Sequence, residues 1–333
     1  MVERREQELT GTSDHSPFLI GANLPWIEYG EFGRNAWHPA GGLSRRTDLA
    51  RVADTLKLTA AHGVKAVRWF ILCDGRAGIR FDGAGTPVGC DESLFDDVST
   101  ALALAADASL LVVPVLFDFL WCARRRIVHG VQLGGRAGVL RNRRQRDALA
   151  ARVVAPMLER FGDSPTILAW DVMNEPEWVT WRVGTWAPWR SVGVGPMRSW
   201  LGQLIDLVHR HTRHPATVGS ASARWLWLVR DLGVDVYQPH WYDRLDRRAP
   251  LARALSHAGL DRPAWLGEYP TRNSRTSIEE LLDRARGAGY VGAFAWSVLA
   301  RDEASDFSAA GPALARWAAA TTMPSTAPES QGV

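Results

Sequence analysis

Short runs dense in Val, Ile, Leu and aromatic residues recur along this chain. Each is followed by a longer stretch whose apolar residues return at helical spacing, a rhythm that predicts eight strand–helix pairs. The expected strands are Phe18 to Leu24, Ala66 to Leu72, Leu110 to Asp118, Ile167 to Asn174, Ala216 to Ser220, Val234 to His240, Ala264 to Glu268 and Val291 to Ser297. The expected helices are Thr47 to His62, Leu94 to Ala108, Arg143 to Phe161, Pro196 to His211, Ala223 to Leu232, Leu251 to His257, Ser277 to Ala288 and Gly311 to Ala319. Parallel neighbours need crossovers, and a closed ring of eight buries every strand, so the pattern implies an α/β fold, a single-domain (β/α)8 TIM barrel over residues 17–320. An open doubly wound sheet is the runner-up, but Gly21 to Pro25 lacks its glycine fingerprint. Residues 1–16 and 321–333 are polar and aperiodic and read as tails. Gly83, Gly85 and Gly89, with Pro87 among them, read as a hairpin rather than a phosphate cradle.

Composition narrows the function more than the fold. The chain has 333 residues, 46% of them hydrophobic and 23% charged, enough apolar material for a large core. Its 39 basic and 36 acidic residues leave a charge of +3, too small a surplus for a nucleic-acid footprint, so no nucleic-acid partner is expected. No stretch reaches a membrane span, so no membrane partner is expected either; oligomeric state is open. Cys73, Cys90 and Cys122 are odd in number and lack metal-type spacing, which fits a reducing compartment. With no signal-peptide pattern near the start, the sequence as given reads as cytoplasmic, or as secreted if a leader precedes it.

The sharpest chemical signal is the run Ile167-Leu168-Ala169-Trp170-Asp171-Val172-Met173 leading directly into Asn174-Glu175-Pro176: an expected buried strand that ends in a carboxylate. Trp265-Leu266-Gly267-Glu268 repeats the arrangement. As strands four and seven of a barrel, the two would open on one mouth. Two carboxylates about 5 to 5.5 Å apart suit retaining glycoside hydrolysis, one protonating the leaving oxygen while the other attacks the anomeric carbon.

These motifs resemble the clan A glycoside hydrolases, and within them family 5, the cellulase and mannanase family, over roughly residues 18–319. The resemblance implies that Glu175 is the acid/base, Glu268 the nucleophile, and Asn174 a ligand of the sugar 2-hydroxyl. It also matches Arg68 in Ala66-Val67-Arg68-Trp69-Phe70, His240 and Tyr242 in Pro239-His240-Trp241-Tyr242, and Trp296 in Phe294-Ala295-Trp296-Ser297 as a sugar platform. With these matches, Arg68 and Tyr242 are expected to hold Glu268 ionised, and burial and the Glu268 charge to keep Glu175 protonated. No cofactor and no metal are expected. Family 5 usually carries a histidine at the end of strand three, whereas this strand ends Phe117-Asp118-Phe119-Leu120-Trp121; Asp118 or Trp121 is expected to take over the contact, with His129 a more distant candidate.

Of sixteen tryptophans, Trp178, Trp181, Trp186 and Trp189 crowd the segment after Glu175, which suggests a carbohydrate groove, with Trp26, Glu28 and Glu177 as further candidate contacts. Trp200, Trp225, Trp227 and Trp317 sit at helical positions and read as packing anchors. His209, His211 and His214 read as surface residues rather than metal ligands. The expected activity is cleavage of a β-linked glucan- or mannan-type carbohydrate by double displacement. A transglycosylase using the same glutamates and a non-catalytic sugar-binding barrel are the alternatives.

Overall fold

The structure is a computed structural model that describes residues 18–322 apart from 26, 28–37, 39–41, 129, 248, 300 and 301. Eight parallel strands form its centre: β1 (Leu19–Leu24), β2 (Ala66–Phe70), β3 (Leu111–Asp118), β4 (Trp170–Asn174), β5 (Ala216–Ser220), β6 (Val236–Pro239), β7 (Trp265–Pro270) and β8 (Gly292–Trp296). Neighbours pair in chain order from β1 to β6, and β8 pairs with both β1 and β7. The remaining seam between β6 and β7 carries a parallel bridge at Tyr237 and Ala264, where Tyr237 N–H donates to Pro263 O at 2.9 Å. This is the expected (β/α)8 barrel.

Strand periodicity explains what fills it. In β2 the side chains of Ala66, Arg68 and Phe70 alternate inward, while Val67 and Trp69 join the layer between barrel and helices. The lower interior is apolar, built from Ala66, Val113, Ala169, Val236, Trp265 and Phe294. Above it lies a buried polar layer containing Asn23, Arg68, Asp171, Gln238 and Glu268. Both strands that bear the expected glutamates break register at this level, β4 between Asp171 and Asn174 and β7 between Leu266 and Tyr269. Each bulge re-aims the side chains beyond it, which brings Asn174 and Glu268 into the mouth.

The segments after β2 and β3 hold two-stranded ribbons, Ile79–Phe81 with Pro87–Cys90 and Arg126–Val128 with Val131–Leu133. The first is the expected hairpin, with Gly85 at φ 76° in its turn. The helix expected from Arg143 to Phe161 is interrupted by a π-helical turn at Ala150–Val154. Pro156 is the second residue beyond it; its ring would clash with the carbonyl of residue 152 and it has no N–H to donate, and the wider turn accommodates both. The expected Ala223–Leu232 helix shortens to a 3-10 segment, Ala223–Leu228. The last helix is longer than expected, Phe307–Thr322. Among the described residues no helix is long and apolar enough to cross a membrane.

Candidate active site

Arg68, fully buried on β2, organises the site. Its Nε donates to Asp171 Oδ2 at 2.8 Å, one Nη to Asn174 Oδ1 at 2.6 Å, and the other to Asn23 Oδ1 at 2.9 Å and to Glu268 Oε1 at 2.8 Å. The Asp171 and Glu268 carboxylates outweigh the burial that opposes its charge, so Arg68 holds its proton more tightly than an ordinary arginine. β5 runs close beside it: a Cβ on Gly219 would lie 2.5 Å from the guanidinium, so glycine is required there.

Glu268 accepts from Arg68 on one oxygen and from the Tyr242 hydroxyl, at 2.7 Å, on the other. Glu175 follows β4 in a left-handed conformation, φ 47°, and its N–H donates to Gly219 O at 2.6 Å. Trp178 Nε1–H donates to Glu175 Oε2 at 2.8 Å, and His240 Nδ1 lies 2.8 Å from Oε1. Oxygens of Glu175 and Glu268 and a ring nitrogen of His240 all lie within 4.8 Å of one another. That separation belongs to double displacement and is well short of the roughly 6.5 Å or more that an inverting pair needs. These three groups could also ligate a cation by distance alone, but both Glu268 oxygens already accept hydrogen bonds.

Burial pushes the Glu175 carboxyl up to about 7 against the opposing Trp178 hydrogen bond and Arg68 charge, as a general acid requires. Glu268 departs from expectation: burial and the facing Glu175 also raise it, although His240, Arg68 and Tyr242 act the other way. The pair shares one proton, and geometry puts it on Glu175, because protonating Glu268 would cost it the Arg68 or Tyr242 bond. Burial lowers His240 to about 4, so its ring is neutral and acts as a hydrogen-bonding group rather than a cation.

Asn174 is locked between Arg68 and Asp118, its Nδ2 donating to Asp118 Oδ2 at 2.7 Å. Asp118, pushed up to about 8 by burial, therefore braces Asn174 while also lining the cleft. Trp121 is corrected: it is 0% exposed, packs edge-on against Phe117 at 5.1 Å, and offers no face to sugar. Trp26, Glu28 and His129 lie outside the described residues. Glu177 is buried, takes the Ala221 N–H at 3.1 Å, and is pushed by burial to about 8; it is an internal brace rather than a substrate contact. Trp200 and Trp317 are packed anchors, but Trp227 is exposed and Trp225 stands edge-on to Trp178 at the cleft. His209 and His211 pair with Asp235 and Glu159, away from the mouth.

Residues that the sequence reading did not single out complete the site: Asp171 and Asn23 around Arg68, Asp302 accepting the Trp296 indole N–H at 2.9 Å, and Asp243, one of whose carboxylate oxygens is buried without a partner among the described residues. An acidic residue inside the apolar run of β4 was the available signal for Asp171. The cleft is about 630 Å³, with Phe70, Phe119, Trp178 and Trp296 among its apolar walls and Asp243, Arg272 and Asn273 among its polar ones. Flat apolar faces set among polar side chains suit a sugar's C–H faces and hydroxyls.

No family model matches the chain. It is 24% identical over 325 residues to a mannan endo-1,4-beta-mannosidase of Mytilus edulis, covering 85% of this chain and 84% of that protein. The fold matches an endo-1,4-beta-mannanase from Eisenia fetida with a TM-score of 0.72 at 23% identity, covering 90% of each chain. It matches the beta-mannanase of Mytilus edulis with a TM-score of 0.73 at 20% identity, covering 91% of this chain and 92% of that one. The chain is a glycoside hydrolase similar in sequence and fold to these mannanases. At the end of β3 this hydrolase carries Asp118, whose carboxyl accepts from Asn174 Nδ2.

Proposed function

We propose that the protein cleaves internal β-1,4 linkages of a mannan-type polysaccharide with retention at the anomeric carbon. The observation that carries this reading is the approach of the Glu175 and Glu268 carboxylates to within 4.8 Å at one mouth. Glu268 attacks the anomeric carbon as the bond to the leaving oxygen breaks, and the Glu175 proton passes to that oxygen. Forming the glycosyl ester removes the Glu268 charge, so Glu175, now ionised, takes a proton from water; the resulting hydroxide attacks the same carbon and releases Glu268. Asn174, fixed on both sides, has one N–H left for the sugar 2-hydroxyl. The choice of mannan over glucan is supported by the Mytilus edulis relative and by a second mannan endo-1,4-beta-mannosidase, from Cryptopygus antarcticus, 22% identical over 87% of this chain and 82% of its own.

The test is NMR observation of the first sugar released from linear β-1,4-mannan, with β-1,4-glucan in parallel. The proposal expects faster release from mannan and a β-anomer that mutarotates only afterwards. An α-anomer at the earliest time, or no release from either polymer, contradicts it.

A further inference from the structure

The net charge of +3 is unevenly spread along the chain. Residues 119–146, which follow β3, and residues 178–205, which follow β4, hold eleven arginines and no aspartate or glutamate. These two runs therefore carry +11, against −8 for the rest of the chain. The acids immediately before them, Asp118 and Glu177, are buried and pushed up to about 8, so at neutral pH they offset little of it.

The two runs fold against each other. Arg141 Nη1 donates to Pro188 O at 2.9 Å, and Ala123 lines the same recess as Arg190. Arg124 and Arg125 lead into the ribbon of Arg126–Val128 with Val131–Leu133. The base of this ribbon is clamped, Gly135 N–H donating to Ala123 O at 2.7 Å and Gly134 N–H to Asp74 O at 2.9 Å. Both glycines are left-handed, and a Cβ on Gly135 would lie 2.5 Å from that of Arg125. Arg125 Nε donates to Gln132 Oε1 at 3.1 Å. Arg124, Arg125, Arg126, Arg141, Arg144 and Arg190 are all exposed. Among the described residues of the two runs, Arg143 alone forms an ion pair, at 3.8 Å with Asp147 just beyond the first run. The unopposed charge reaches Arg136, which burial lowers to about 10 with the Arg125 charge adding to it against Asp74.

We propose that this basic face, outside the catalytic cleft, binds the carboxylates of an acidic polysaccharide, a polyuronate chain. A guanidinium takes a planar carboxylate through two parallel N–H bonds, and several such contacts on one chain reinforce each other. Both runs begin at the cleft wall, at Phe119 and Trp178, so a chain held on this face keeps the enzyme on glycan material with its mouth beside it. The choice of a glycan over other polyanions rests on the hydrolase reading above; the binding itself does not, and its test reads no turnover.

The experiment is biolayer interferometry on immobilised polygalacturonate in about 0.05 M salt, where surface charges are weakly screened. Fully methyl-esterified polygalacturonate and duplex DNA run in parallel. One variant combines Arg124→Gln, Arg126→Gln and Arg144→Gln. A control combines Arg160→Gln, Arg210→Gln and Arg286→Gln, exposed positions outside the two runs that remove the same charge. Melting curves check that both fold, as exposed positions allow. The proposal expects binding at least about tenfold weaker in the first variant and within about twofold of the parent in the control. It also expects no binding to the methyl ester and loss of binding in about 1 M salt. No binding of the parent to polygalacturonate, equal losses in the two variants, equal binding of the methyl ester, or tighter binding of the DNA overturns it. Each of these results leaves the catalytic reading standing, and a failure to cleave mannan leaves this measurement intact.

Discussion

Replacing Arg68 by methionine keeps much of the side chain's length and removes its charge and all its donors. The structure then leaves Asp171 and Glu268 without their shared cation at a level where Arg68 and Asp171 are fully buried, and Asn23 and Asn174 lose a donor each. Breaking a buried ion pair from one side costs about 3–5 kcal/mol. A chain of 333 residues unfolds with an entropy of about 0.7 kcal/mol/K, so the melting temperature should fall by about 4–7 °C. Glu268 also loses the donor that favours its ionised form. The pH below which kcat/KM declines should therefore rise, because the nucleophile must be an anion, and turnover at the optimum should fall at least about 100-fold. Calorimetry gives the first quantity, and a pH–rate profile on an aryl glycoside the other two. A variant that melts within a degree of the parent, with an unmoved acid limb, would refute the reasoning that Arg68 holds this site together.

Three further outcomes follow from the same geometry. Glu175, pushed up to about 7, should set the alkaline limb of kcat/KM; in Glu175→Gln that limb should vanish, a substrate with a good leaving group should still form the glycosyl-enzyme, and added azide should yield a β-glycosyl azide detectable by mass spectrometry. Trp296→Ala removes an indole that borders the cleft and is oriented by Asp302, and should raise KM for mannan about tenfold with a smaller change in kcat, measured by reducing-sugar release. Stability should fall between pH 6.5 and 8: Glu177 and Asp118 keep their protons to about 8 when folded but ionise at ordinary carboxylate values when unfolded, so the native state binds more protons in this window. His240, lowered to about 4, works the other way only below its unfolded value of 6.5, so melting temperatures at pH 6.5 and 8 isolate the carboxyls, and Glu177→Gln should shrink the drop.

The barrel and its two glutamates were legible because both rest on local signals. Apolar runs of strand length mark β4 and β7, and a carboxylate at the end of such a run has no core role to explain it. What stayed hidden depends on how strands are aligned. The register shifts at Asp171/Asn174 and Leu266/Tyr269 leave no mark in periodicity, yet they decide which side chains enter the mouth. Trp121 illustrates the opposite error: its position just past β3 suggested the cleft, but its ring turns into a pocket beside Phe117 and Phe81 and is lost to sugar. Asp118 lines the cleft, and its bond to Asn174 is a pairing between strands that a linear reading does not display. The rise in Glu268 was missed because the sequence names its donors but not how completely water is excluded around them.

The most direct test of the central claim is trapping with a 2-deoxy-2-fluoro-β-mannosyl fluoride, followed by peptide mass spectrometry of the inactivated protein. The account predicts one covalent label on Glu268, formed with the time course of inactivation and slowly discharged by water. A label on Glu175 or any other residue, or full turnover of the fluoride with no covalent species, contradicts the assignment of Glu268 as the attacking group.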